Sequence, residues 1–339
     1  DVYRHTGDKR LLEHHYDGLK SYADMLAREA KDYIIERNNY GDWVGVVDTP
    51  KDLISTGAFY RTAWIVAQAA RALGKSDDAR TYDSLCRKTA DAFNDKFFHS
   101  ETNTYGNNSQ YSNAWPLYLG IVPKGSEAGV LGSIVRDVAD RKGHLSTGFL
   151  GTRYLFDVLC DSGQSDVAYT IVTRKDYPGW GYMIANDATT VWELWKLETG
   201  KGMNSHNHPA YGAIGGWFYR MIAGIVPDPD HPGFEHFDIK PFMMGGLKEA
   251  KASVETIRGR VSSHWVKDDK GITLEVEIPA NTRGSVYVPR VGKPILTEAS
   301  KLVFDWKFHP GVKGIDGASC AGEWIKVEVG SGKYEFRVE

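Results

Sequence analysis

Glu193 is the carboxylate whose neighbours are best suited to chemistry in this 339-residue sequence. It lies in Ala188-Thr189-Thr190-Val191-Trp192-Glu193-Leu194-Trp195, soon after the aromatic, glycine-rich run Tyr177-Pro178-Gly179-Trp180-Gly181-Tyr182-Met183. Thr189 or Thr190 reads as the cap of a short helix over 189–196. Glu193 then sits in the first turn, where the positive end of a helix stabilises a carboxylate. Between Trp192 and Trp195 it is either a proton acceptor in an aromatic pocket or a surface Glu that only complements the helix dipole.

Other stretches leave similar choices open. In Gly41-Asp42-Trp43, Asp42 is a sugar-hydroxyl acceptor or an ordinary turn residue, and Trp43 is a stacking platform or a core ring. Asn204-Ser205-His206-Asn207-His208-Pro209 holds two histidines two apart, with no third ligand at a defined spacing. A neutral histidine that donates to a hydroxyl or positions water competes there with a purely structural one. Gly143 to Thr152 lacks the Gly-Lys-Ser/Thr ending and the preceding strand of a phosphate loop, and reads as a tightly packed helix start. Glycoside hydrolysis needs two carboxyl groups among hydroxyl-binding and aromatic groups. The chain offers Glu193 and Asp42, with no obvious second Glu in a comparable setting. The residues alone reach a carbohydrate-type site on a helical scaffold.

The scaffold shows in the apolar periodicity. Leu12, Tyr16, Leu19, Ala23, Leu26 and Ala30 recur at the helical period, and Thr6 reads as their cap. Thr49-Pro50-Lys51-Asp52 reads as a capped helix start, and that helix stops at Gly74. Ser76 opens the next, with Ala79, Tyr82, Cys86, Thr89 and Phe93 on one stripe. Further helices are expected near 110–121, 125–140, 148–161, 164–174, 189–196 and 210–224. The longer polar-aromatic loops, 39–48, 102–109, 142–148, 176–188 and 199–209, alternate with short links. Helical hairpins in this arrangement predict an N-terminally incomplete (α/α)6 toroid over 1–226, with about nine helices and apolar surface exposed near 1–30. Loops bearing Asp42, Trp43, His144, Trp180, Glu193 and His208 should then meet at one mouth.

Three prolines in Pro227-Asp228-Pro229-Asp230-His231-Pro232-Gly233 mark a boundary. Beyond it the period is two: Ile272, Leu274, Val276 and Ile278, then Ile325, Val327 and Val329, then Tyr334, Phe336 and Val338. This predicts an antiparallel β-sandwich over 233–339.

Composition excludes other classes. A formal net charge of −3 gives no basic surface for nucleic acid or anionic lipid. No apolar run approaches the roughly 20 residues of a membrane-spanning helix. Cys86, Cys160 and Cys320 show no metal-ligand spacing and read as buried free thiols. No metal and no cofactor is called for. An extracytoplasmic location is favoured over a cytoplasmic one.

Several ordered motifs together resemble the α-L-rhamnosidases of glycoside hydrolase family 78. They are Tyr-Gly-Asp-Trp at 40–43, Thr-Pro-Lys-Asp-Leu-Ile-Ser-Thr at 49–56, Thr-Tyr-Gly-Asn-Asn-Ser-Gln at 104–110 and Gly-His-Leu-Ser-Thr-Gly-Phe-Leu-Gly-Thr at 143–152. Tyr-Pro-Gly-Trp-Gly-Tyr-Met-Ile at 177–184, Ala-Thr-Thr-Val-Trp-Glu at 188–193 and Asn-His at 207–208 complete the series. Pro279-Ala280-Asn281-Thr282 and Val286-Tyr287-Val288-Pro289 resemble the sandwich that follows the barrel in that family.

The resemblance implies an (α/α)6 barrel that removes terminal α-L-rhamnosyl residues from oligosaccharides, polysaccharides or glycosides with inversion. It implies Glu193 as general base, and Asp42, Trp43, His144, Trp180, Trp192 and His208 as substrate-binding residues. It places the general acid in a motif upstream of residue 1, so that this piece alone would lack it. The sequence departs from the pattern at Asp187, Leu194 and Gly216, positions that bear on fine specificity. Competing readings are another inverting hydrolase on the same barrel, a lyase, whose substrate carboxylate would call for Arg and Lys crowding the mouth loops, and a non-catalytic carbohydrate binder.

Overall fold

The computed structural model describes residues 1–37, 40–200 and 204–338; residue 39 of the expected loop 39–48 and residues 201–203 of the loop 199–209 lie outside them. The chain divides into two compact units, Arg10–Ile214 and Gly215–Glu339, the latter joined by Asp1–Lys9. The division falls at 214/215, ahead of the proline-rich stretch.

The first unit is helical. After α1 (Val2–Thr6), which belongs to the other unit, come α2 (Lys9–Glu29), α3 (Lys51–Ala72), α4 (Ser76–Phe97), α5 (Gln110–Leu119), α6 (Glu127–Asp140), α7 (Phe149–Asp161), α8 (Ser165–Thr173) and α9 (Trp180–Ala185). Helix α3 is buried on most sides, and its Ala63, Ala67 and Ala70 pack closely against Tyr16 and Ala23 of α2 and Ala79, Tyr82 and Cys86 of α4. The stripe read on α4 is buried throughout. Helix α5 packs on α6 and α7. Trp115 of α5 fits against α3 only because residue 57 is glycine: a Cβ there would lie 2.0 Å from the indole nitrogen.

Several local expectations give way to tertiary contacts. Thr6 closes α1 instead of capping α2, its hydroxyl donating to the Val2 carbonyl. Thr49 does not cap α3; its hydroxyl bonds to Ser109 at 2.8 Å and Pro50 occupies the cap position. Residues 189–196 form no helix. Thr189, Thr190 and Val191 are β-branched and poor helix formers. The Thr190 hydroxyl donates to the His206 carbonyl, and the Glu193 N–H to the Ser205 carbonyl at 2.8 Å. In contrast α9 forms within a stretch read as loop. Gly181 permits this, since a Cβ would meet the Arg174 carbonyl at 2.2 Å. The expected helix 210–224 is broken into a 3₁₀ turn (Ala210–Ala213), the one-turn α10 (Ile214–Trp217) and a π-turn (Phe218–Ile222). Gly212, Gly215 and Gly216 weaken a regular helix there.

Two short strands, β1 (Phe98–His99) and β2 (Thr104–Tyr105), pair within the helical unit. The second unit is built on β3 (Ile225–Pro227), β4 (His236–Ile239), β5 (Glu249–Thr256), β6 (Gly259–Asp268), β7 (Gly271–Ile278), β8 (Arg283–Pro289), β9 (Ile295–Glu298), β10 (Lys301–Asp305), β11 (Ile315–Ala321), β12 (Trp324–Val329) and β13 (Gly332–Val338). They form one sheet in the order β10-β9-β13-β7-β6-β5 and another in the order β11-β12-β8-β4-β3. The inward alternation of β7, β12 and β13 fills one core between them, with Trp265, Phe237, Phe304 and Phe336. The sandwich is antiparallel except where β4 runs parallel to β8, a pairing the hairpin signals did not reveal. Cys86 and Cys160 are buried thiols outside any disulfide, whereas Cys320 is exposed on edge strand β11.

Among the described residues no helix is long and apolar enough to cross a membrane. Val2, Leu11 and Tyr22 expose apolar surface near the start of the chain.

Candidate active site

The site grows from the start of α7. Asp42 is 9% exposed, and its two carboxylate oxygens accept the backbone N–H groups of Gly148 (2.7 Å), Leu150 (2.9 Å) and Gly151 (2.9 Å). These are N–H groups that helix geometry leaves without partners. Gly148 must be glycine, because a Cβ would lie 2.2 Å from the Trp43 carbonyl. Burial pushes the Asp42 carboxyl up to about 6, against the opposing pull of the three N–H donors. Asp42 therefore anchors the 41–45 turn to α7 rather than facing outward.

Trp43, the next residue, is 42% exposed and edge-on to Tyr40. Its indole N–H donates to Glu193 Oε1 at 3.2 Å, and the Ser205 N–H donates to Oε2 at 2.9 Å. The Ser205 N–H, the Asn204 side chain and the Trp43 N–H hold the Glu193 carboxyl below the usual carboxylate range, and nearby His208 adds to this. Glu193 is thus ionised at neutral pH, half-exposed and fixed in direction. That is the state a general base requires.

Aromatic rings connect the other candidates. His208 stacks on Phe149 at 4.8 Å, Phe149 meets Tyr211 edge-on, Tyr211 stacks on Trp195 at 3.7 Å, and Trp195 meets Trp180 edge-on at 5.0 Å. Trp180 is fixed by its N–H to the Tyr211 carbonyl at 3.1 Å. The His208 N–H bonds to the Val191 carbonyl, and the Ala210 N–H donates to His208 Nδ1 at 3.3 Å. That contact leaves the ring proton on Nε2, as a donor.

His144 and Trp192 are placed differently. His144 Nδ1 faces the Arg141 carbonyl at 2.7 Å, whereas Nε2 lies 3.0 Å from Asp176 as an ion-pair contact without hydrogen-bond geometry. Arg174 and His144 together hold the Asp176 carboxyl down at about 2. Trp192 is 4% exposed and stacks on His206.

Sequence reasoning missed Gln110. It is fully buried, accepts the Ser146 N–H at 2.8 Å, and donates to the His144 carbonyl and to Asp137. The Ser146 carbonyl in turn receives the Val46 and Val47 N–H groups. Gln110 thereby pins two mouth loops, and its membership of the 104–110 motif was the available signal. Ser205 and Asn204 were noticed only as polar company for two histidines. Neither His206 nor His208 joins a cluster of three metal-ligating side chains among the described residues.

A succession of helical hairpins whose loops fix an ionised carboxylate among aromatic rings, in a chain that continues into a β-sandwich, is the layout of a six-hairpin glycosidase. Residues 1–222 match the bacterial alpha-L-rhamnosidase 6 hairpin glycosidase domain, and residues 224–302 the bacterial alpha-L-rhamnosidase C-terminal domain. The chain belongs to the bacterial α-L-rhamnosidase family, and its helical unit is part of an α/α toroid. It is similar to the structure of an alpha-L-rhamnosidase from Dictyoglumus thermophilum, at 37% identity and a TM-score of 0.92, over 99% of this chain and 38% of that one. It is also similar to the Streptomyces avermitilis alpha-L-rhamnosidase crystallised with L-rhamnose, at 30% identity and a TM-score of 0.90, over 99% of this chain and 32% of that one. A Formosa agariphila alpha-L-rhamnosidase is 31% identical over the whole of this chain. The chain spans about a third of the length of the curated relatives it matches, 37% and 32% of the first two.

Proposed function

We propose that the protein to which this chain belongs hydrolyses terminal α-L-rhamnosyl bonds of glycans or glycosides with inversion, and that Glu193 is its general base. The observation that carries the proposal is the fixing of Glu193 by Trp43, Asn204 and Ser205, which keeps it ionised while leaving it open to water. The naming of the relatives and the L-rhamnose complex of one of them support the choice of sugar. Glu193 takes a proton from the water that attacks the anomeric carbon. Trp43 and Trp180 offer apolar faces to the sugar, and the His208 Nε2–H serves as donor to a hydroxyl. Asp42, His144 and Trp192 act as positioning residues, since their polar groups or faces are already engaged within the protein.

Inversion also needs an acid, with the two carboxyls about 6.5–9.5 Å apart. The family resemblance implies an acid in a motif outside these residues, and within them Asp42 is spent on backbone N–H groups and Asp176 on Arg174 and His144. The test is hydrolysis of a panel of aryl glycosides by the longest natural form, with the anomer of the first product read by NMR. Preference for the α-L-rhamnoside and release of the β-anomer are expected. Retention, or a different preferred sugar, overturns the proposal. Robust turnover by the 339-residue chain alone overturns the assignment of the acid.

A further inference from the structure

The β unit carries a group of side chains that the glycosidase reading leaves unused. Asp228, His231 and His236 each present a ligand atom within 4.8 Å of the others. Asp228 Oδ2 lies 2.9 Å from His231 Nδ1 and 2.7 Å from His236 Nδ1, so both rings turn their Nδ1 toward one carboxylate oxygen. The ring centroids are 5.7 Å apart and inclined at 65°, an arrangement that lets both face a common point. We infer that Asp228, His231 and His236 form a binding site for a divalent transition-metal ion of the zinc type.

Two of the three ligands are aimed by partners outside the cluster. Asp228 Oδ1 accepts the Asp230 N–H at 2.9 Å, which leaves Oδ2 directed at the histidines. The Ser285 hydroxyl donates to Glu328 at 2.8 Å, so its lone pair is left to accept from His236 Nε2–H at 3.0 Å. That fixes Nε2 as the protonated nitrogen and leaves Nδ1 as the one a metal can take. Metal-binding histidines characteristically donate their other N–H to an oxygen in this way, which orients the ring and raises its basicity. Ser285 is almost fully buried on β8, beside β4, so the relay rests on the sheet rather than on a loose surface chain. His231, more than half exposed, is the third ligand and opens the site to water, which completes the coordination.

The donor set decides the metal. Two imidazoles and one carboxylate suit zinc, cobalt, nickel or copper. Magnesium and calcium prefer all-oxygen shells. Ligand atoms around a tetrahedral zinc stand about 3.3 Å apart given bonds of about 2.0 Å. The present oxygen–nitrogen distances therefore open by a few tenths of an ångström, within the reach of side-chain rotation. The ion takes the two Nδ1 lone pairs and Asp228 Oδ2, so any proton held between these atoms is released on binding. It clips the 228–236 loop, whose Gly233 N–H holds the Arg4 carbonyl at 2.8 Å and with it α1. The proline-rich spacing hid this set, because it read as a boundary.

The experiment is calorimetric titration of Zn²⁺ into the chelator-treated 339-residue chain, with Co²⁺ absorption as a second reporter of the donor set. One saturable equivalent of Zn²⁺ and a Co²⁺ spectrum of low coordination number are expected. His231→Gln, at an exposed position, should weaken that binding by at least about tenfold, and Ser285→Ala by about tenfold through the lost relay. His14→Gln, on the adjacent pair His14 and His15 of α2, should leave it unchanged. Absence of saturable Zn²⁺ binding, equal affinity in His231→Gln, or equal preference for Mg²⁺ overturns the inference.

Discussion

Two regions of the helical unit each hold one carboxylate with three hydrogen-bond donors, and they put it to opposite use. At the start of α7, Asp42 receives the N–H groups of Gly148, Leu150 and Gly151. Away from any helix, Glu193 receives the indole N–H of Trp43, the N–H of Ser205 and the side chain of Asn204. Water makes the difference. Burial outweighs the donors at Asp42 and drives its carboxyl up to about 6, whereas at half-exposed Glu193 the donors prevail and its carboxyl falls below the usual range. A row of donors therefore does not distinguish scaffold from chemistry. On the proposal that Glu193 is the base, access to the solvent that supplies the nucleophile does.

The largest effect should come from removing the open carboxylate. General base catalysis contributes about 10²–10⁴-fold. Glu193→Gln keeps the shape but accepts no proton, so in the full-length protein kcat should fall at least about a hundredfold while KM changes little. Steady-state kinetics on an aryl α-L-rhamnoside check this; unchanged kcat would mean that the comparison assigns the chemistry to the wrong carboxylate.

Removing the buried carboxylate should act on stability. Asp42→Ala strands three backbone N–H groups, and each unsatisfied buried group costs about 1–3 kcal/mol. A loss of about 3 kcal/mol or more in unfolding free energy is expected, with exchange protection lost first at 148–151. A stability change within about 0.5 kcal/mol, as at an ordinary surface position, would remove Asp42 from the scaffold.

The same site should give stability a distinctive pH dependence. The folded carboxyl of Asp42 titrates near 6 and the unfolded one near 3.8, so the folded state holds the proton more tightly. The contribution is fully present below about pH 4 and is lost as pH rises through about 6, by up to about 3 kcal/mol. Most paired carboxylates slope the other way. Denaturant unfolding of wild type and Asp42→Asn between pH 4 and 7 isolates the effect. Parallel curves would show that the three N–H donors cancel the cost of burial.

The two regions also differ in how much the sequence disclosed. Burial patterns with a regular period were legible: the α4 stripe and the alternations of β7, β12 and β13 lie where the residues place them. The family motifs implied a base at Glu193 and a sugar ligand at Asp42, but not that Asp42 is turned inward onto backbone N–H groups, because burial is a property of the assembled loops. The segment around Glu193 was misread as a capped helix. Thr190 bonds instead to the carbonyl of a residue 16 positions on, and Trp192 and Trp195 are held by stacking on His206 and Tyr211, contacts no local pattern encodes. The short α9 was hidden by glycines, which helices seldom carry. Here one of them was required by the Arg174 carbonyl.

The smallest expected effect sharpens the comparison most, because it changes one donor and leaves water access alone. Trp43→Phe keeps an apolar face where the sugar would stack and deletes the indole N–H that reaches Glu193 Oε1 at 3.2 Å. A hydrogen bond to the charged form favours that form, so losing it raises the pKa of the base. The acid limb of the kcat/KM profile of the full-length protein should move to higher pH. The plateau rate should change by less than about tenfold, since the carboxylate that takes the proton remains. Trp43→Ala, which also removes the face, should add an increase in KM that Trp43→Phe lacks. If the acid limb of Trp43→Phe stays where it is in the wild type, the Trp43 N–H does not tune Glu193, and the donors on Ser205 and Asn204 alone set the difference between the two carboxylates.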